Sequence, residues 1–262
     1  MSETTQAAIV TEYTNTTQRL RTILLQVLAE TFDGLGSWHI QDVDTFLEQA
    51  LPVVHAAHGA MATLTDAYLA QLIADQLGLV AVPLGLEAVQ APRGIPLEET
   101  YRRPFAQVWS ELAQGRPLAE AVQAGQIRLA SIAATDLQLV RTRTTHDALA
   151  EDDRVVGYAR VPKGSETCAL CLIASTQTYR KKDLMPVHPG CDCGVRPLTQ
   201  KSGPDEDLLD AVHEAIARDL GPRFQHFAGE NYRNFMVVQE HGELGPVLAV
   251  RGETFTGPTD IP

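Results

Sequence analysis

The chain has 262 residues and a formal net charge of −12. That charge excludes a non-specific nucleic-acid coat, which needs clustered Lys and Arg against phosphate. Hydrophobic residues make up 44% and aromatics only 6%, a mixture that favours helices over an all-β sandwich.

The opening "MSETTQAAIVTEYTNTTQ" lacks a basic segment followed by an apolar run, so it does not read as a signal peptide. No apolar stretch reaches the roughly 18 residues that a membrane span needs. The expectation is a soluble protein made in a cytoplasm, where thiols stay reduced. From Thr17 to Phe32 the apolar residues recur at three- and four-residue steps, which predicts an amphipathic helix ended by "GLG" at 34–36. Asp42 is placed to cap a second helix, and Pro52 to kink or restart it. An alanine-rich helical run follows from Val53 to Leu77.

Residues 78–104 are rich in Pro and Gly and lack a helical period, so they read as an extended linker wrapping a surface or a neighbour. Helices resume near Phe105–Gln114 and Leu118–Leu149, the second eased at Gly125. The texture then turns to β. "RVVGYARVP" (154–162) suits a short strand, and 235–250 suits two short strands around a turn at Gly242–Pro246. Between them, 202–220 is marked as a helix by Pro204 and three acids in its first turn. The tail from 251 is polar and turn-rich, like a strap. The predicted fold is mainly α, of the α+β class. A helical bundle or arm (1–77) and a linker (78–104) lead to a second helical region (105–150). A Cys/His-stapled core (151–200) follows, and then a helix, hairpin and strap (201–262).

All four cysteines lie within one short stretch, as Cys168, Cys171, Cys191 and Cys193, with His188 just before the second pair. Cys168-x2-Cys171 has the spacing of a zinc knuckle, and His188-x2-Cys191-x-Cys193 offers three more donors. The best tetrahedral set is Cys168, Cys171, Cys191 and either His188 or Cys193, with the fifth residue supporting it. One or two disulfides, or reduced thiols without a metal, are the alternatives. Four filled positions would make a zinc ion structural, with no place left for a reactive water. The window 141–196 carries 9 basic and 7 acidic residues against 12 and 26 elsewhere, so the cysteine region is close to neutral on an acidic body.

Other candidates are weaker. "YRKK" (179–182) puts an aromatic beside three cations and could touch phosphate, or simply form a solvated loop. A zinc-knuckle nucleic-acid module is thereby a rival reading. "EHGE" (240–243) sets His241 between two carboxylates, as a protease would need, although neither G-x-S-x-G nor H-E-x-x-H occurs. His55 and His58 lie three apart on one helix face and could share a metal, with a core or capping role as the plainer reading.

"GYAR" (157–160), "CALC" (168–171) and "HPGCDCGVRP" (188–197) together resemble the C-terminal motif of the MuF-like minor capsid proteins of tailed phages, whose ending falls here on His188, Cys191, Cys193 and Pro197. "RGIPLEETYRRPF" (93–105) and "EHGELGPVLAVRGETFTGP" (240–258) are similar to versions from phages of actinobacteria. The resemblance implies a structural, non-enzymatic protein inside the head near the portal, made in the host cytoplasm and kept in the virion. Its expected work is head morphogenesis, genome packaging or DNA ejection, in several copies per virion. The expected partners are the portal protein, the major capsid protein or scaffold and, weakly, packaged DNA. A capsid maturation protease is the alternative.

Overall fold

The computed structural model describes residues 3–161, 169–184, 193–200, 236–241 and 245–251. The architecture is mainly helical, with a few short strands. Three long helices dominate: α1 (Glu3–Asp33), α2 (Ile40–Leu77) and α5 (Leu118–Glu151). Two shorter ones, α3 (Leu97–Tyr101) and α4 (Arg103–Ala113), lead into α5. Helices α1, α2, α4 and α5 share one core, so the two helical regions expected on either side of the linker form a single bundle.

The core is a stripe on each helix. On α1 it is Leu24, Leu28 and Phe32, spaced by four, so all three point the same way. They meet Val43, Phe46 and Ala50 of α2, and Phe105 and Val108 of α4. Phe32, Phe46 and Phe105 interlock: their centroids stand 5.1–5.6 Å apart, each pair close to edge-on. Edge-on pairs of this kind add about 0.5–1.5 kcal/mol each beyond the area they bury.

Helix boundaries follow from backbone chemistry. Gly78 ends α2 in the left-handed conformation, φ 66°, and returns its N–H to the Ala74 carbonyl. Asp42 is not the cap residue. It lies in the first turn of α2, where its carboxylate accepts the His39 N–H at 2.8 Å and the Ser37 hydroxyl at 2.8 Å. Pro52 does not restart α2, which runs through it. Pro52 is exposed, so the carbonyl it leaves unbonded on the preceding turn can turn to water. Gly125 does not ease α5 either. It makes room for α4, because a Cβ there would stand 2.5 Å from Val108 Cγ2 and 3.1 Å from the Pro104 carbonyl.

The segment 78–96 is extended, as expected, but α3 and the start of α4 replace its last residues. Two charged contacts fasten it to the bundle. The buried Asp66 carboxylate accepts the N–H groups of Leu84, Gly85 and Leu86 at 3.1, 2.7 and 3.2 Å. Arg93 then pairs with buried Asp136 at 2.6 Å and also donates to the Ile132 carbonyl.

The β structure is in two pieces. A three-stranded antiparallel sheet has the order β2 (Thr178–Tyr179), β1 (Gly157–Val161), β3 (Gly194–Leu198). A short helix α6 (Ala169–Ser175) and a single 3-10 turn (Lys181–Asp183) flank β2. Ile73, Leu149, Val155, Tyr158 and Val195 join this sheet to the bundle. Gln76, near the end of α2, adds three hydrogen bonds. Its Nε2 donates to the Pro197 carbonyl at 2.7 Å, and its Oε1 accepts from the N–H and hydroxyl of Thr199. Separately, β4 (Met236–His241) pairs antiparallel with β5 (Gly245–Val250). Gly245 and Pro246, expected in the turn, are strand residues opposite His241 and Glu240. The expected helix at 202–220 and the tail beyond 251 lie outside the described residues.

Candidate functional site

Of the five Cys/His candidates, two are described. Cys171 sits buried in α6, and Cys193 sits buried just before β3. Cys168, His188 and Cys191 lie outside the described residues. The sheet register places Cys193. Gly194 pairs with Val161, the last residue of β1. Residue 193 therefore stands just beyond the end of the sheet from which the chain leaves β1 toward residue 168.

Buried sulfurs suit zinc as soft donors. Cys171 and Cys193 supply at most half of a tetrahedral shell, and among the described residues no group of three or more His, Cys, Asp or Glu side chains is placed to hold a metal. Any complete set must draw on residues 168, 188 or 191. The wall around Cys193 is polar and cationic. It lines a gap of about 20 Å³ with Tyr13, Tyr68, Arg141 and Arg160 where the sheet meets the bundle. Tyr13 and Tyr68 stack there at 4.0 Å. Burial pushes the Tyr68 hydroxyl well above its ordinary pKa, with the nearby Tyr13 second, so it stays a neutral donor.

The "YRKK" stretch does not present its aromatic ring to a ligand. Tyr179 lies in β2, stacks on Tyr158 at 5.1 Å and donates its hydroxyl to the Ala174 carbonyl at 2.9 Å. Lys181 reaches the Asp152 carbonyl at 3.3 Å. Arg180 and Lys182 are exposed. This is a packed strand end with cations on its rim, and the stacking platform that nucleic-acid binding would use is already occupied. His241 is buried at the end of β4, with Glu240 exposed beside it; Glu243 lies outside the described residues.

His55 and His58 differ from each other. His55 is exposed, while His58 is 2% exposed with its Nε2 lacking a hydrogen-bond partner. Burial, and secondarily the neighbouring His55, holds the His58 pKa down to about 4, so it is neutral at pH 7. Both line a cleft between α2 and the extended segment. The carboxylates that build this region, Asp66 and Asp136, were missed in the sequence. Their signal was an acid on the apolar face of a long helix.

Residues 4–218 match the VG15 protein family. The chain belongs to the VG15 family. That makes it a viral protein of phage type. No curated protein and no solved structure matches it. The family match covers the bundle, the extended segment and all five Cys/His positions, while β4 and β5 lie beyond it. It carries the phage origin and says nothing of a MuF-like head role. Among the described residues of this VG15 protein, no helix is long and apolar enough to cross a membrane.

Proposed function

We propose that this VG15 protein is a structural minor component of the phage head, held inside the capsid near the portal. It acts there in head morphogenesis, genome packaging or DNA ejection, and several copies enter each virion from the host cytoplasm. The observation that carries this reading is the phage-family match over residues 4–218, joined to the motif His188-x2-Cys191-x-Cys193-x3-Pro197 within it. The architecture fits the role. Helices of 31, 38 and 34 residues make stiff rods, roughly 47–57 Å long at 1.5 Å per residue. The partners are the portal protein and the major capsid protein or scaffold, with only weak contact to DNA because the body is acidic.

In this reading Cys168, Cys171, Cys191 and either His188 or Cys193 are the ligands of a structural zinc ion. It would tie the small sheet together where a segment of about 50 residues builds little core of its own. Metal analysis of the purified chain is expected to give close to one zinc, lost on Cys168→Ser with Cys191→Ser. Intact disulfides with no metal would replace the zinc by a covalent staple.

The deciding experiment is co-purification with the portal protein from cells expressing the head genes, followed by detection of the chain in finished virions. Stable recovery with the portal supports the proposal. Failure to bind portal, capsid protein or scaffold in any assembly state removes it. Cleavage of capsid protein by the purified chain, abolished by His241→Ala, would put a protease in its place.

A further inference from the structure

The first residues of the extended segment are fixed at two points and open between them. Upstream, Gly78 caps α2 and Leu79 returns its N–H to the Ala74 carbonyl at 2.9 Å. Downstream, Asp66 holds the N–H groups of Leu84, Gly85 and Leu86. Among the described residues, nothing bonds the backbone of Val80, Ala81 or Val82. A short stretch of extended chain is thus held ready with its N–H and C=O groups unpaired, so little ordering is left to do on pairing.

Its side chains follow the two-residue period of a strand. Val80, Val82 and Leu84 line one shallow groove together with Ile73 and Ala74 of α2 and Ala148 of α5. The groove is not filled, for Val80 is 86% exposed and Val82 73%. Leu77 and Leu79 are exposed as well, and the run 77–86, "LGLVAVPLGL", holds no charged residue. Free strand edges are ordinarily blunted by charges or bulges or by a covering element. Residues 79–82 carry no charge, and among the described residues nothing bonds to the backbone of 80–82.

Charge and sequence symmetry select the occupant. With a net charge of −12, a second copy is repelled over most of the surface and can come close along an uncharged strip. A basic partner would find no carboxylate within that strip. The strip is also complementary to itself. Turned end for end about Ala81, it sets Val80 opposite Val82 of the second copy, and Ala81 opposite Ala81. We propose that residues 79–82 pair antiparallel with the same residues of a second copy across a twofold axis. Leu79 spends its N–H on α2, and backbone groups alternate between the two edges of a strand, so Val80 and Val82 face outward. They take the hydrogen-bonded positions and Ala81 the position between them. The four valines then form two β-branched cross-strand pairs on one face. The contact uses the same patch on both copies, so it closes at two. This pairing goes beyond the proposed head role and does not rest on it.

The test follows the purified full chain by analytical ultracentrifugation. So short a strip falls below the roughly 800 Å² per partner of a stable interface, so a weak dimer is expected. It should tighten as added salt screens the repulsion between two acidic bodies. Val82→Asp puts a carboxylate into the valine face and is expected to weaken dimerisation about tenfold. Val80→Pro deletes an N–H that has no partner within the chain. It is expected to abolish the dimer with the circular dichroism unchanged. Ala81→Cys tests the register. With oxidised glutathione, two copies should cross-link through residue 81 faster than through Leu112→Cys, an exposed position on α4, both read above the wild-type background. A chain that stays monomeric up to about 0.5 mM would overturn the proposal. So would a dimer that survives Val80→Pro, a dimer that weakens as salt rises, or cross-linking no faster at residue 81 than at residue 112.

Discussion

Two helical glycines mark two differently built parts of the molecule. At Gly125, α5 crosses α4 so closely that an added methyl would collide with Val108, and Phe32 stands 3.3 Å away. At Gly59, α2 faces the extended segment across the cleft, and an added methyl would touch nothing. The crossing is held by interlocked apolar surface, where shape decides everything. The extended segment is held by a few charged hydrogen bonds, with room left between them. Packing fixes the first region over its whole area; the second is fixed at points.

The strongest way to break the point-fixed region is to remove a point. Arg93→Ala leaves Asp136 buried without its cation and is expected to cost about 3–5 kcal/mol in urea unfolding. A loss below about 1 kcal/mol would show that the pair does not hold the segment. On the packed side, Gly125→Ala is expected to destabilise by up to about 3 kcal/mol through overpacking.

Acid gives a smaller effect with a defined sign. The His58 pKa is about 4 in the fold against 6.5 for a free imidazole. The unfolded chain therefore binds the extra proton as pH falls between these values, and stability falls with it. Between pH 7 and pH 5 the loss is about 2 kcal/mol, and it should be absent from His58→Phe, so that it appears in full in the difference between the two proteins. Asp152, held below the usual carboxylate range by its hydrogen bond from Arg154, contributes stability above 3.8 that is lost only at lower pH. Its window therefore does not overlap that of His58. The smallest effect sharpens the comparison most. Gly59→Ala should stabilise by about 0.5–1 kcal/mol, the helix preference of Ala over Gly unopposed by any contact. If Gly59→Ala and Gly125→Ala changed the melting temperature in the same direction, the contrast between the two regions would fail.

Much of the bundle was legible because apolar residues at three- and four-residue steps report one buried face. Leu24, Leu28 and Phe32 are an example. What the pattern could not show is how a polar residue on such a face is used. Asp66 and Asp136 break the apolar periodicity without saying that one binds backbone amides and the other an arginine. Pro52 does not interrupt α2, because a proline on the side that meets water leaves its freed carbonyl to solvent. Strand β3 escaped notice because "GVRPL" carries a glycine and a proline, and its pairing with β1 is set by residues some 35 positions away. At the cysteine cluster the spacing named five donors. The structure places Cys171 and Cys193, and those two are consistent with a metal or a covalent staple.

Gln76 has a consequence for what can pair with strand β3. Among the described residues, strand β3 lies at the margin of its sheet, with β1 as its one neighbour. Exposed margins invite another chain to add a strand. Leu198 turns its carbonyl inward, toward the Val156 N–H, so Pro197 faces out. Proline has no N–H to offer there, and its carbonyl is already taken by Gln76. The same glutamine occupies the Thr199 N–H two residues on. A helix-end amide and one imino acid thus blunt this strand against the addition of another.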